Sequence, residues 1–149
     1  MYLRIVLLKA KAIGALSRLL KQGNGVVIAG RFILKFAPNA VAKLAKEKRV
    51  VLISGTNGKT TTTLLTYQLL KNAGLNVGLA GNIGQSFARQ VAQCNFDMYV
   101  LEISSFQLDG NVSIKLHIAC LTNITPDHLD RYDYKLENYM MSKMRLALN

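Results

Sequence analysis

From residue 49 onward the chain alternates short, unbroken apolar runs with longer stretches in which apolar residues recur at helical spacing. Val50-Val51-Leu52-Ile53, Tyr99-Val100-Leu101 and Ile118-Ala119-Cys120-Leu121 are such runs, bounded by glycine or polar clusters. Strands covered on both faces read this way, because neither face meets water and no polar alternation is needed. The pattern predicts strands over 49–54, 76–80 and 98–103, with a fourth inside 114–123. Helices are predicted over 60–73, where Gly74 supplies the stop, and over 85–93 and 136–148. Strands alternating with helices in this order predict an α/β fold, a mostly parallel sheet with helices on both faces.

The first 48 residues follow another pattern. Residues 3–20 read as a helix with Ile5, Val6, Ala12, Ile13, Leu16, Leu19 and Leu20 on one side and Arg4, Lys11 and Arg18 on the other. Lys9 interrupts the apolar side. Gln22-Gly23-Asn24-Gly25 breaks it, 26–36 is short and apolar with Gly30 inside, and Pro38-Asn39 opens a second helical stretch to about residue 48. The expected division is a basic amphipathic segment, 1–48, and an α/β domain, 49–149.

Charge sharpens that division. The net charge is +11, yet residues 1–49 hold eleven Lys or Arg against Glu47 alone, while the remainder holds eight basic and seven acidic groups. A spanning helix needs about 20 mostly uncharged residues, so 3–20 does not read as one. Nor does it read as a secretory signal, since its charges run through the apolar stretch instead of preceding it. Two expectations remain open: a helix docked on its own domain, or residues 1–21 making peripheral contact with an anionic membrane surface, where each basic side chain contributes about 1 kcal/mol. Basic charge without interleaved aromatics does not suggest nucleic acid. At 149 residues, half of them hydrophobic and only two of them proline, the chain can bury one substantial core and is not a disordered polymer. Cys94 and Cys120 stand apart among apolar residues and read as reduced core thiols of a cytoplasmic protein.

The chemistry gathers where strands end. Gly55-Thr56-Asn57-Gly58-Lys59-Thr60 follows the first apolar run and opens the first helix of the domain. Glycines there let backbone N–H groups approach a phosphate, and the helix N-terminus adds roughly half a positive charge. Lys59 can reach the β- and γ-phosphates and the Thr60 hydroxyl can bind Mg²⁺, which makes this a P-loop-type site. Only Thr56 and Asn57 separate its glycines, two residues fewer than usual, and Ile53 stands where the distant glycine would fall. Gly81-Asn82, Glu102 to Gln107 and Asn123 to Asp130 follow the other strands, on the edge where parallel sheets bind ligands. Glu102 is either a Mg²⁺-holding carboxylate or a solvated strand end. His128, beside Asp127, is a ligand or a structural imidazole. Lys143 falls within the apolar stripe of Leu136, Tyr139, Met140 and Ala147. There it loses its proton, finds a carboxylate, is modified to a carbamate, or snorkels at the stripe edge.

Taken together, the short phosphate loop, Leu101-Glu102-Ile103-Ser104-Ser105-Phe106-Gln107-Leu108, Gly81-Asn82-Ile83-Gly84 and Asn123-Ile124-Thr125-Pro126-Asp127-His128-Leu129-Asp130-Arg131-Tyr132 resemble the central ATP-binding domain of the Mur ligases, and most closely its D-glutamate-adding branch. The likeness runs from about residue 49 to the end. It implies an ATP-dependent, carbon–nitrogen bond-forming ligase of peptidoglycan precursor synthesis, with ATP and Mg²⁺. Its substrates would be a UDP-linked muramoyl-peptide and D-glutamate, joined through an acyl phosphate. On matching positions it implies that Gly55, Thr56, Asn57, Gly58, Lys59, Thr60 and Thr61 bind ATP, with Lys59 on the γ-phosphate. Thr60 and Glu102 would hold one metal, His128 would help hold a second, Lys143 would be carbamylated, and Asn82 and Ser104 would touch the muramoyl substrate.

Residues 1–48 do not resemble the start of that branch. Leu16-Ser17-Arg18-Leu19-Leu20, 23–25 and the apolar run before Pro38 resemble instead the leader of a Mur-ligase-like amidotransferase subunit, which implies a lipid-linked substrate and a glutaminase partner as the alternative. The likeness covers only the first part of the central domain. The expectation is therefore a fragment, or a chain needing a companion, that does not turn over alone. A non-enzymatic nucleotide-binding module is the third reading.

Overall fold

The computed structural model describes residues 2–19, 35–37, 39–109 and 114–148. The glycine break at 22–25 and the apolar stretch around Gly30 lie outside the described residues. The chain forms two compact units, Met1–Lys43 and Leu44–Asn149.

In the first unit, α1 (Tyr2–Leu19) is an 18-residue helix and α2 (Ala40–Ala45) begins there. The single apolar side expected for α1 is split. Val6 is buried and Ile13 half-buried, but Ile5, Leu16 and Leu19 face solvent.

The second unit is built on four strands: β1 (Arg49–Ser54), β2 (Val77–Gly81), β3 (Met98–Glu102) and β4 (Ile118–Leu121). They form one all-parallel sheet in the order β2-β3-β1-β4. The connections carry α3 (Lys59–Asn72), α4 (Phe87–Gln93) and α5 (Ser105–Asp109), and α6 (Leu136–Met144) follows β4. Residues 145–148, expected to continue that last helix, tighten into a 3₁₀ turn.

Period-two alternation assigns the faces. Val51, Ile53, Val77, Met98 and Val100 form a core cluster packed on Tyr67 and Leu70 of α3, with Cys120. Tyr99, at the opposite parity, takes edge-to-face contacts from Phe87 of α4 and from Phe96. Helices thus cover both faces, as the continuous apolar runs require. β3 is buried throughout and β1 from Val50 onward, and Val50, Leu52, Val100 and Leu101 have no exposure at all. β4, one of the two edge strands, differs: Ile118 stays 59% exposed despite an apolar sequence. Cys94 also departs from expectation, since it follows the last turn of α4 and is exposed, whereas Cys120 is partly buried.

Because all four strands run the same way, their carboxyl ends share one edge. The loops after β1, β2, β3 and β4 all leave from it, with β1 flanked by β3 and β4.

Candidate active site

β1 delivers the chain to Gly55 at that edge. Gly55 has φ +142°, and a Cβ there would lie 1.9 Å from the Thr122 hydroxyl of the loop after β4. Only glycine allows so close an approach. The loop is then laced to its neighbour. Thr56 N–H donates to the Asn123 carbonyl (3.0 Å), Asn57 N–H to Asn123 Oδ1 (3.0 Å), and the Thr122 hydroxyl to the Asn57 carbonyl (2.7 Å). Gly58, at φ +76°, turns the chain into α3, whose N-terminus carries no side-chain cap. An uncapped helix start directs unpaired N–H groups and the positive end of the dipole outward, the arrangement that holds an anion. Lys59 Nζ curls back to the Thr56 carbonyl at 2.6 Å, and the Thr60 and Thr61 side chains are exposed in the first turn.

Thr56 is the anchor beneath the loop. Its Oγ1 donates to the Thr125 carbonyl (3.0 Å) and accepts from Thr125 N–H (3.0 Å). With its one hydrogen so used, the 2.9 Å contact to the Tyr139 hydroxyl is a donation from the tyrosine. Tyr139 is 2% exposed, and burial raises its pKa, which keeps that proton in place.

Lys143, one turn further along α6, is also 2% exposed and donates from Nζ to the Gly55 carbonyl at 2.8 Å, with Nζ 4.8 Å from the Tyr139 ring centre. Burial, and then the charge of Lys59, lowers its pKa to about 8, partly offset by Asp127. Roughly a tenth of such an amine is neutral at pH 7. Its stem borders a cleft of about 150 Å³ lined by Ala119, Leu121, Met144, Leu146 and Ala147. The snorkelling alternative for Lys143 is thereby corrected: Lys143 and Tyr139 are buried and the ammonium points at the phosphate loop, although Met140 and Ala147 of the expected stripe are exposed.

Glu102 ends β3 at the parity of Met98 and Val100, opposite Ile53, so it shares the α3 face of the sheet with the core cluster. It is 4% exposed, and its Oε2 is buried without a hydrogen-bond partner. A buried carboxylate oxygen left unpaired is costly unless a cation or donor completes it. This corrects the solvated strand-end alternative. Next to it, Gly81 (φ +106°) approaches the Glu102 carbonyl so closely that any Cβ would lie 2.1 Å from it, which lets Asn82 N–H donate there at 2.9 Å. The Asn82 side chain is exposed at this edge.

The remaining expected residues are arranged less tightly. Ser104 is buried, and both its N–H (2.9 Å) and its hydroxyl (3.0 Å) donate to Gln107 Oε1, so its polar atoms serve the start of α5. His128 sits in the left-handed region at φ +49°, with 58% of its side chain exposed, 3.6 Å from Asp127 and edge-on to Phe106. No group of three or more His, Cys, Asp or Glu side chains converges on one point among the described residues. A cation at Glu102 would need hydroxyl, phosphate or modified-lysine oxygens to complete its shell. The structure thus joins Gly55, Thr56, Asn57, Lys59 and Lys143 directly and places Glu102 on the α3 face of the sheet with Lys59, whereas Lys143 comes to Gly55 from beside Ala119 and Leu121, which point to the other face. Ser104 and His128 are held by local partners. Tyr139, Thr122 and Asn123 were not expected as loop anchors. Their signal was position: Thr122-Asn123 falls at a strand end, and Tyr139 lies one helical turn before Lys143.

The sequence matches the family model of the Mur ligase middle domain over residues 53–149. An enzyme of Christiangramia forsetii named UDP-N-acetylmuramoylalanine--D-glutamate ligase is 62% identical over 103 residues, which are 69% of this chain and 23% of that one. One of the same name from Bacteroides fragilis is 48% identical over 132 residues, 89% of this chain and 28% of that one. Residues 49–149 number only 101, so at least 31 of the first 48 take part, which corrects the expectation that this segment departs from the D-glutamate branch. The chain therefore spans about a quarter of the length of these relatives. A solved UDP-N-acetylmuramoyl-L-alanyl-D-glutamate--2,6-diaminopimelate ligase superposes with a TM-score of 0.56 at 24% identity, over 78% of this chain and 26% of its own, a likeness of fold. With two thirds of its length matched to the middle domain and its phosphate loop built as described, this chain belongs to the Mur ligase family.

Proposed function

We propose that this chain carries the phosphate-binding and metal-binding part of a cytoplasmic, ATP-dependent ligase that joins D-glutamate to UDP-N-acetylmuramoyl-L-alanine. The observation that carries the reading is the convergence of Lys143 and the uncapped start of α3 on one short glycine loop bearing Lys59. The identity to D-glutamate ligases extends it to the acceptor.

In this reading the γ-phosphate lies on the N–H groups of 58–61, with Lys59 leaving the Thr56 carbonyl to meet it. The acceptor carboxylate attacks that phosphorus and ADP departs, giving an acyl phosphate. The amine of D-glutamate then attacks the acyl carbon, loses a proton and expels phosphate. The chain's own contribution is position and charge: Lys59 and the helix dipole stabilise the transferring group, and the Thr56–Thr125–Tyr139 network fixes the loop beneath it. Glu102 and Thr60 fit Mg²⁺, given the unpaired Oε2 and the exposed hydroxyl, and carbamylated Lys143 with His128 would hold a second ion. Bound Mg²⁺ supplies neutralisation of phosphate-oxygen charge. Asn82, exposed at the edge, would meet the muramoyl-peptide, and Ser104 would do so by exchanging its hydroxyl's bond to Gln107 for one to substrate.

The reading is tested by exchanging residues 53–149 into the Christiangramia forsetii relative. Phosphate release that requires both UDP-N-acetylmuramoyl-L-alanine and D-glutamate, and that falls at least about 100-fold with Glu102→Gln, is expected. A chimera that folds but releases phosphate with ammonia on a lipid-linked acceptor, and not with D-glutamate, would favour the second reading: an amidotransferase subunit fed by a glutaminase. The exposed basic helix α1 is the feature favouring that alternative.

A further inference from the structure

We infer that Thr122 and Asn123 are positioning residues that latch the peptide group between Asn57 and Gly58 in the one orientation able to meet a phosphate. The inference rests on the reading of this loop as a phosphate site, and its test reads the peptide both without and with nucleotide.

Two side chains converge on one residue of the loop. The Thr122 hydroxyl donates to the Asn57 carbonyl at 2.7 Å and Asn123 Nδ2 donates to the same oxygen at 3.0 Å. Asn123 Oδ1 meanwhile accepts from Asn57 N–H at 3.0 Å. The Asn57 carbonyl is therefore held toward the loop after β4. Because the peptide bond is trans, the N–H of Gly58 points the opposite way, off that loop. Lys143 turns the Gly55 carbonyl aside in the same manner, at 2.8 Å. The N–H groups of Thr56 and Asn57 are both spent on Asn123, which makes Gly58 the first in the loop whose N–H is open to a ligand.

The latch matters because the peptide can otherwise turn over. Gly58 sits at φ +76°, and a Cβ there would meet nothing within 4 Å. Packing does not hold it, and glycine passes between positive and negative φ at little cost. Opposite rotations about Asn57 ψ and Gly58 φ would carry Gly58 to about −100°, a value any residue adopts. The turned-over plane would set the Asn57 carbonyl oxygen where the Gly58 N–H stood, against the phosphate oxygens. The two donors from 122 and 123 oppose that rotation, and they do so from the neighbouring loop, two residues of which lie closer in space than the rest of the phosphate loop's own chain can reach.

The test uses the whole chain, labelled with nitrogen-15 and carbon-13. The nuclear Overhauser contact between Asn57 Hα and the Gly58 amide proton reports the plane without any ligand, and calorimetric titration with Mg-ATP reports the consequence. Thr122→Val with Asn123→Ala removes both donors. The contact should change in intensity, and Mg-ATP should bind roughly 25-fold more weakly, at about five-fold for each neutral hydrogen bond. Thr122→Ser, which keeps the hydroxyl, should keep the wild-type contact and affinity. Gly58→Ala leaves both donors in place and, with nothing to clash against, penalises positive φ alone. It should shift the contact in the same direction and weaken Mg-ATP about ten-fold. An unchanged contact in both the double variant and Gly58→Ala overturns the latch. So does a changed contact with wild-type affinity, which would leave the phosphate reading standing. A wild-type chain that takes up no Mg-ATP defeats the phosphate reading and the inference with it.

Discussion

Lys143 Nζ donates to the carbonyl of Gly55, 88 residues earlier, at 2.8 Å. The bond ties the last helix to the first turn of the phosphate loop and places a buried ammonium beneath the site where phosphate charge would sit. Several consequences can be measured.

Lys143 has a folded-state pKa of about 8 against an ordinary 10.5. Between those values the unfolded chain binds more protons than the folded one, so stability rises with pH across the window. In CO₂-free buffer, urea unfolding should show a gain of roughly 2 kcal/mol from pH 8 to pH 10 that Lys143→Met lacks. Tyr99 and Tyr139 work the other way. Burial raises their pKa values, so their contribution is lost only as pH rises above the ordinary tyrosine range. Confining the comparison to below pH 10 separates the two.

Gly55→Ala should cost about 2–4 kcal/mol, combining strain at φ +142° with a Cβ driven into Thr122. Rotating Thr122 away would break its hydroxyl's donation to the Asn57 carbonyl at 2.7 Å. Chemical denaturation at neutral pH measures the loss. A cost below about 0.5 kcal/mol, within the usual range for a surface substitution, would mean that the two loops are not packed as described.

Tyr139→Phe keeps the ring under Lys143 and removes only the donation to Thr56. A loss of about 1 kcal/mol is expected, with faster amide exchange at Thr56, Asn57 and Thr125 and little change in β2 or α4. Uniformly faster exchange would point to a general core defect instead of a loop anchor.

These contacts explain which parts of the molecule could be read beforehand. The runs at 50–53 and 99–101 announced covered parallel strands because nothing polar interrupts them. The loop at 55–60 announced itself through two glycines, a lysine and a threonine between a strand and a helix. Lys143 was visible as a charge in an apolar stripe, but its partner was not, since nothing in α6 points to a carbonyl 88 residues away. β4 misled, because an apolar edge strand and an apolar central strand have the same letters. Cys94 misled for a related reason: apolar neighbours in sequence need not be neighbours in space at a helix end. For α1, spacing found the helix but merged two apolar faces that the structure separates, one inward at Val6 and one outward at Leu8 and Leu19.

The central claim is that the loop at 55–60 receives the triphosphate. Phosphorus-31 NMR of Mg-ATP titrated with the whole chain tests it most directly. Broadening and shift of the β- and γ-phosphate resonances are expected with the wild-type chain, lost with Lys59→Ala and retained with Lys115→Ala, an exposed lysine before the start of β4. Resonances that respond alike to all three chains, or to none, would contradict it.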